Sequence, residues 1–262
     1  MATKVRTAEM TWREVEAAIK RGAAALVPMG STEEHGPHAP TGDYMIADVI
    51  AERVAQDTGD VMTPTIPFSY SEYFRHYPGT ITLQPETLTL LVRDTVYCLL
   101  DQGFRHVILF NGHKGNEPVL MTLIRKIRRE RGVLVPVVAP LGFGLTPSVQ
   151  RELYGDAPIG HGAEPIGSIQ AYLRPDLVNL DKAEDWASKN YLGMPANLNA
   201  ITFEGRTVNL AINMGEITPP SGSLSDPLVA SPEKGERIVT NSVDGLTSFV
   251  NWFKTVNPKV DP

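Results

Sequence analysis

Residues 23–43 have the sequence AAALVPMGSTEEHGPHAPTGD, in which a short apolar run is followed at once by a polar loop. A continuously apolar run of this length predicts a strand that is covered on both faces of a sheet. Similar runs occur at His106–Phe110, with Val-Ile-Leu-Phe at its centre, and at Val61–Ile66 and Val133–Val138. These four runs predict the strands of the core.

Helical patterns lie between these strands. Thr11-Trp12-Arg13-Glu14 fits a capping box, and Asp43 is placed to cap a helix that extends to about Gln56. Further helices are predicted over 85–102, 117–131, 163–173 and 232–253. Strands that alternate with helices predict an α/β fold, a three-layer sandwich with a mainly parallel sheet. We interpret 1–262 as a single domain, with a long loop over 140–162 and an irregular segment over 174–232 that is either an inserted lobe or surface loops.

Composition limits the class of protein. The 262 residues carry a formal net charge of -6, which argues against nucleic acid or an anionic membrane as a partner. The single cysteine, Cys98, excludes an internal disulfide, and we expect it to be a small buried core residue. The first ten residues lack the apolar core of a signal peptide, and no apolar run is long enough to span a membrane. A cytoplasmic protein is expected.

Chemically reactive residues gather in three loops that follow predicted strands. The chain has six histidines, and four of them lie in these loops: His35, His38, His113 and His161. The loops cover Gly30–Asp43, Asn111–Asn116 and Gly160–Glu164. In a parallel α/β sheet, ligands bind outside the carboxyl ends of the strands, so these loops are expected to form one site.

The residue types in these loops suit a metal. In the extended segment Glu33-x-His35 both side chains lie on the same face, because the strand period is two. Mixed carboxylate and imidazole ligands favour zinc, manganese or iron over magnesium and calcium. Asp43, at a helix start, has two oxygens that can bridge a pair of cations. Each cluster alone has an ordinary explanation as a solvated loop, turn or helix start, but three at strand ends favour a metal site.

These residues resemble the creatininase (creatinine amidohydrolase) family. Gly30–Asp43 matches its motif G-S-x-E-Q-H-G-x-H-L-P with a following T-D, except that Glu34 replaces Gln, Ala39 replaces Leu, Gly42 replaces Thr and one residue is missing before Asp43. The other matches are to N-G-H-G-G-N, H-A-G-E-x-E-T-S, a proline–glycine loop, G-D-P and E-K-G, and they lie at 111–116, 161–168, 66–81, 225–227 and 233–235. The resemblance covers about Leu26 to Gly235.

The resemblance implies two divalent metal ions per chain. Glu33, Asp43 and His113 would bind one ion; His35, Asp43 and a glutamate would bind the other, with Asp43 bridging. The family's creatinine-hydrolysing members supply that glutamate two residues after the second-motif histidine, where this chain has Gly115. Glu164 is the replacement we predict. Glu34 is a rival to Glu33, although the period-two argument favours Glu33.

Other site residues are assigned in the same way. His161 matches the family's catalytic histidine, which shuttles a proton to the leaving group. His38 is expected to orient a metal ligand by a hydrogen bond. Tyr73 and His76 are candidates for the substrate pocket, and simple loop packing explains them equally well. Lys114 lies beside the metal ligands and is typical of an anionic or polyhydroxylated substrate, unless it points to solvent.

The hypothesis is a hydrolase in which a metal-bridging hydroxide attacks a carbonyl. The resemblance argues against creatinine itself as the substrate, because Lys114 and Gly160 replace the aromatic residue and the glutamate of the creatinine-hydrolysing members, and the three tryptophans lie outside the motifs. A cyclic amide is the first choice, and C–C cleavage of a diketo-inositol ring, of the 3-dehydro-scyllo-inosose type, is the second. A mononuclear keto-sugar lyase or isomerase and a non-enzymatic binding protein stay open. The resemblance also implies a homo-oligomer, often a hexamer.

Overall fold

The computed structural model of the protein describes residues 4–260. Its central sheet has four parallel strands in the order β2-β1-β3-β4. The strands are β1 (Ala25–Met29), β2 (Val61–Met62), β3 (Val107–Asn111) and β4 (Val137–Val138). All residues of β1 and β3 are buried, as the apolar runs predicted.

Helices cover both faces of this sheet. They are α1 (Trp12–Lys20), α2 (Tyr44–Thr58), α3 (Pro85–Asp101), α4 (Glu117–Arg131), α5 (Pro140–Gly144), α6 (Pro147–Tyr154), α7 (Ile166–Leu173), α8 (Met214–Ile217) and α9 (Pro232–Thr255). Leu26 and Ile108 pack with α2, α7 and α9, whereas Val27 and Leu109 pack with α1, α3 and α4. Successive strand residues thus enter two different cores, which confirms the predicted three-layer α/β architecture.

Two predicted strands are much shorter in the structure. Only Val137 and Val138 pair with β3, because Pro136 has no N–H to continue the ladder. Val61–Ile66 pairs continuously only at its first two residues, and Ile66 rejoins the sheet through an isolated bridge to Met29. Pro64 interrupts this run in the same way.

Two segments contain secondary structure that the sequence analysis missed. The expected loop 140–162 includes α5 and α6. The irregular segment 174–232 contains an antiparallel sheet of β5 (Ala196–Asn197), β6 (Ala200–Phe203) and β7 (Arg206–Asn209), followed by α8. Glu204 and Gly205 join β6 to β7 with positive φ values of 48° and 72°, as in a tight hairpin.

The prediction that Cys98 is buried is wrong. The buried positions of α3 are Leu88, Val92, Val96 and Leu99, and Cys98 lies outside this stripe and is exposed. The predicted cap on α2 is also wrong in detail, since the Asp43 side chain makes no capping hydrogen bond and has other partners. Within residues 4–260, no helix is long and apolar enough to cross a membrane.

Candidate metal centre

The sheet register brings the first two motif loops together. Met29, the last residue of β1, pairs with Asn111, the last residue of β3. The amide of Gly112 donates to the carbonyl of Met29 at 2.7 Å, so the second loop starts against the first. A side chain at position 112 would meet the Ala47 methyl group at 2.9 Å, and glycine therefore allows α2 to approach both strand ends.

Glu33, Asp43 and His113 form the first group of possible metal ligands. Nδ1 of His113 lies 3.3 Å from Oε1 of Glu33 and 3.3 Å from Oδ2 of Asp43. One ligand atom from each of the three lies within 4.8 Å of the others, and all three side chains are buried. Two carboxylates and an imidazole that converge without solvent are a suitable set for a transition-metal cation.

Asp43 is held in this group by the loop after β1. Ser31 donates to Asp43 twice, from its backbone amide to Oδ1 and from its hydroxyl to Oδ2 at 2.8 Å. Gly30 makes this contact possible, because a Cβ there would meet Oδ1 of Asp43 at 2.7 Å and the backbone of Tyr44 at 2.5 Å. The fixed carboxylate keeps Oδ2 directed at His113.

Glu33, His35 and His161 form the second group. Oε1 of Glu33 lies 3.8 Å from Nε2 of His35 and 3.9 Å from Nδ1 of His161. Glu33 belongs to both groups, whereas its predicted rival Glu34 belongs to neither among the described residues. The loop that follows β4 therefore contributes a third histidine to the centre.

Backbone carbonyls orient two of the histidines. The Tyr70 carbonyl lies 2.9 Å from Nε2 of His113, and the Glu33 carbonyl lies 3.1 Å from Nδ1 of His35. A carbonyl can only accept, so each contact places the ring proton on the nitrogen away from the centre. Nδ1 of His113 and Nε2 of His35 are then available as ligand atoms, as in metal sites where the other ring N–H is hydrogen-bonded.

Burial and neighbouring charges shift the pKa values of the residues in the centre. Burial alone would raise the pKa of Glu33, but the adjacent His113 charge and hydrogen bond outweigh it and lower the pKa to about 2. Burial opposes a charged His113, yet Glu33 and Asp43 raise the pKa of this imidazole well above its usual value. For His35 burial dominates, and its pKa is lowered. The buried carboxylates are thus stabilised by a positive charge placed between them.

One buried oxygen of the ligand residues lacks a partner in the described part of the chain, as expected at a site that binds a cation. Oε2 of Glu33 is buried and has no hydrogen-bond partner among the described residues. An ionised carboxylate oxygen in that position is costly unless a cation or donor compensates for it. Glu33, His35, Asp43 and His113 therefore fit a divalent metal centre, with His161 beside them.

Glu164 has different partners from those predicted. Its Oε2 accepts from the hydroxyl of Tyr154 at 2.7 Å, and its Oε1 accepts from Ser168 at 2.6 Å. It does not appear in either possible metal group of the described residues. A role as metal ligand stays a prediction, and these contacts do not favour it.

The structure brings only some of the other predicted residues to the centre. Tyr73 is half-buried. Its pKa is raised mainly by burial, and further by the neighbouring Tyr70 and by the charge of Glu33, so Tyr73 lies near the carboxylates. Lys114 is exposed, and so is His76, whose ring is tilted by 40° to that of Tyr77 with centroids 4.3 Å apart. His38 is buried, but neither ring nitrogen has a hydrogen-bond partner within residues 4–260. The expected hydrogen bond from its ring to a ligand residue is not formed.

Two residues at the centre were missed or misjudged. Phe74 stacks on His161 with ring centroids 4.2 Å apart and 16° between the planes. Glu34 lies beside the same imidazole, with its backbone oxygen 2.6 Å and its Oε1 3.0 Å from Nε2. The aromatic richness of the loop after β2 was the available signal for Phe74. For Glu34 the signal was the departure from glutamine in the first motif.

Fold and centre together define an α/β protein with a carboxylate–imidazole metal site at the carboxyl edge of its parallel sheet. The chain belongs to the creatininase family: the family model "Creatininase: Creatinine amidohydrolase" matches residues 8–250. It is 31% identical to creatinine amidohydrolase of Pseudomonas putida, over 95% of this chain and 97% of the relative.

More distant relatives have other activities. The chain is 28% identical to 3-dehydro-scyllo-inosose hydrolase of Thermotoga maritima, over 92% of this chain and 81% of that protein. It is also 28% identical to mycofactocin precursor peptide peptidase of Mycobacterium ulcerans, over 86% and 83%. All three named activities are hydrolytic, and the chain is a hydrolase of this family.

Solved structures agree with the fold. A Zn–Zn form of a mutant creatininase superposes with a TM-score of 0.83 at 27% identity, covering 97% of this chain and 100% of that one. A manganese form gives a TM-score of 0.81 at 26% identity, with the same coverage. Together with the donor set, these structures support divalent metal binding by this chain.

Proposed function

We propose that the protein hydrolyses the amide C–N bond of a cyclic amide, with two divalent ions held by Glu33, His35, Asp43 and His113. The convergence of two buried carboxylates and two imidazoles on Oε1 of Glu33 and Oδ2 of Asp43 carries this proposal. When bound, such ions supply Lewis-acid polarisation of a carbonyl and an activated water at neutral pH.

The chain's own residues supply orientation and a proton. Ser31 fixes Asp43, and the carbonyls of Glu33 and Tyr70 fix the two imidazoles, so the centre is preorganised. His161 takes up the proton released by the attacking water at Nδ1, the nitrogen that faces Glu33, and passes it to the departing nitrogen. Half-buried Tyr73 forms part of the pocket wall.

The relatives favour an amide over other carbonyl compounds. An amidohydrolase and a peptidase, as named, both cleave amide bonds. Creatinine itself is not the proposed substrate, because this chain has Lys114 after the second-motif histidine and Gly160 before His161. Trp186 and Trp252 are both exposed on the surface. A cyclic amide without the creatinine ring substituents, or an anionic one that Lys114 can reach, fits better.

A second candidate is hydrolysis of a C–C bond in a diketo-inositol ring. The relationship to the inosose hydrolase favours it. The same centre can polarise a ketone, and exposed Lys114 is suited to a polyhydroxylated or anionic ring. The two candidates differ in product: ring opening of a cyclic amide gives one molecule with a new carboxylic acid and a new N–H group, whereas C–C cleavage of the diketo ring gives one molecule with a new carboxylic acid, a remaining ketone and no nitrogen group.

The test begins with metal content per chain, measured by elemental analysis on protein purified without chelators. About two equivalents of zinc, manganese or iron, together with ring opening of lactams, cyclic imides or keto-inositols, is the expected result. Asp43→Asn should lose metal and turnover, whereas Glu130→Gln on the distant surface of α4 should keep both. One equivalent would support a mononuclear lyase or isomerase, and none after reconstitution would support a binding protein.

A further inference from the structure

The imidazole of His161 stacks with two other rings. Phe74 stacks on one face at 4.2 Å, and His35 stacks on it at 4.9 Å with 27° between the planes. Phe74 is only 3% exposed, so this wall is itself fixed by the surrounding protein. Stacking fixes the plane of the ring, and the contacts at the ring edge then decide which nitrogen carries the proton.

Residue 34 provides those edge contacts. Nε2 of His161 is hydrogen-bonded to the Glu34 backbone oxygen at 2.6 Å. Oε1 of Glu34 lies 3.0 Å from the same nitrogen as an ion-pair contact without hydrogen-bond geometry. A carbonyl and an ionised carboxylate have no proton to donate, so Nε2 must carry the hydrogen. Nδ1, on the opposite side of the ring, lies 3.9 Å from Oε1 of Glu33.

The Glu34 carboxylate is held in place as well. Its Oε2 accepts from the amide of Gly36 at 2.9 Å. Gly222 covers it from the opposite loop: a Cβ at position 222 would meet both carboxylate oxygens at 2.5 and 2.6 Å. The φ of Gly222 is +76°, a conformation that favours glycine. The loop 221–223 is therefore shaped to admit this carboxylate.

We propose that Glu34 is a positioning residue, which holds His161 as the Nε2–H tautomer and keeps Nδ1 directed at the metal centre. The creatininase motif it matches has glutamine here, which would place no negative charge beside Nε2 of His161. The catalytic consequence depends on the proposed hydrolase function, whereas the tautomer does not.

The decisive experiment is long-range ¹H–¹⁵N NMR of metal-free protein labelled at histidine, recorded where the ring is neutral. Signals of His161 are identified by their loss in His161→Gln. The wild type should show a protonated Nε2 and an unprotonated Nδ1. Glu34→Ala keeps the backbone oxygen but removes the carboxylate, so it should shift both nitrogens part of the way toward averaged values. Glu34→Gln, which retains a polar oxygen, should lie between Glu34→Ala and the wild type.

Gly222→Ala provides an independent route to the same effect. Its Cβ would displace the Glu34 carboxylate without removing it, so the His161 signals should move as in Glu34→Ala. Glu130→Gln, whose carboxylate accepts from Tyr97 on the surface, is the matched control and should leave the spectrum unchanged. A wild-type ring protonated on Nδ1, or a spectrum that neither variant alters, would overturn the proposal.

Kinetics of the metal-loaded enzyme separate positioning from simple destabilisation. Glu34→Ala should lower kcat by ~10- to 100-fold with KM nearly unchanged, because a misaligned proton donor affects the chemical step. Glu34→Gln should recover part of kcat at unchanged metal content. If the expected tautomer is found but no hydrolysis occurs on any substrate, the proposed function fails and the role of Glu34 in orienting His161 stands.

Discussion

The His161 imidazole lies flat against the phenyl ring of Phe74, with centroids 4.2 Å apart and 16° between the planes. Phe74 is the last residue of a short 3₁₀ turn, Glu72–Phe74, after β2, and His161 follows α6, so the contact joins two segments distant in sequence. Without this wall, the imidazole could tilt away from Glu33. Residue 74 should therefore influence catalysis without contacting a metal.

Replacing Phe74 tests this wall. Phe74→Ala should lower kcat by ~10- to 100-fold through misplacement of His161, and it should cost about 2–4 kcal/mol of stability because a buried phenyl ring is lost. Phe74→Leu fills much of the volume but offers no flat face, so it should lower kcat with only a small change in Tm. A Phe74→Leu enzyme with wild-type kcat would contradict the stacking role.

His161→Ala tests the proton donor directly. Turnover should fall by ~10²–10⁴-fold, as expected for loss of a general acid, while the metal content stays at the wild-type level. His106→Gln is the control, because His106 is also buried but contacts the carbonyl of Val256 at 2.9 Å, away from the centre. That variant should lose stability and keep kcat. Full turnover in His161→Ala with metal bound would refute the assigned role.

The sequence predicted the part of the centre that depends on sheet geometry. Glu33, His35, Asp43 and His113 follow parallel strands, whose carboxyl ends lie at one edge of the sheet, so a common site at that edge could be inferred from position. Phe74 could not be placed, because the aromatic loop after β2 has no periodicity that fixes a direction. Glu34 was misjudged, since the period-two argument explains which face Glu33 occupies and says nothing about the neighbour on the other face.

The hairpin of β6 and β7 was missed for a related reason. Every residue of β7 is exposed, so no alternation of apolar and polar residues marks it as a strand. The local signal was the pair Glu204-Gly205 between two short runs containing Ile201, Thr202, Thr207 and Val208. Turn chemistry was informative in this segment where hydrophobic patterning was not.

Stability should depend on pH through an ion pair that fixes the N-terminal segment to α2. Nη2 of Arg6 lies 2.7 Å from both Oδ2 of Asp48 and Oε2 of Glu52. Burial opposes the ionised form of Asp48, but hydrogen bonds from Arg6 and Thr65 lower its pKa below 3.8. Ionised Asp48 thus stabilises the fold above the unfolded pKa, and this stabilisation is lost as the pH falls through the folded pKa.

Urea unfolding of wild type and Asp48→Asn measures this contribution. The difference in unfolding free energy should be largest at pH 6–7 and should shrink steadily as the pH falls below about 4. Asp176→Asn is the matched control: Asp176 also pairs with an arginine, Arg174, but its side chain is 61% exposed. Solvent should screen that pair, so its removal should leave the unfolding free energy almost unchanged at every pH. A difference for Asp48→Asn that is independent of pH would contradict the ion-pair account.

Glu164→Gln decides between two roles for the third-motif glutamate. Tyr154 and Ser168 each donate to one of its oxygens, and Ser168 also accepts from the amide of Ser231 just before α9. These contacts connect α6, α7 and α9. Among the described residues, Glu164 belongs to neither group of possible metal ligands. The variant should therefore keep its metal content but lose about 1–3 kcal/mol of stability, since buried hydrogen bonds to a charged group are weakened.

Tyr154→Phe serves as the comparison, because it removes one of the same hydrogen bonds and leaves the carboxylate in place. If Glu164 is structural, both variants should lower Tm and neither should change metal stoichiometry measured by elemental analysis. If Glu164 is the missing ligand, Glu164→Gln alone should lose one metal equivalent, and Tyr154→Phe should keep it. That second outcome would require the carboxylate to leave Tyr154 and Ser168 and turn toward His35 when metal binds.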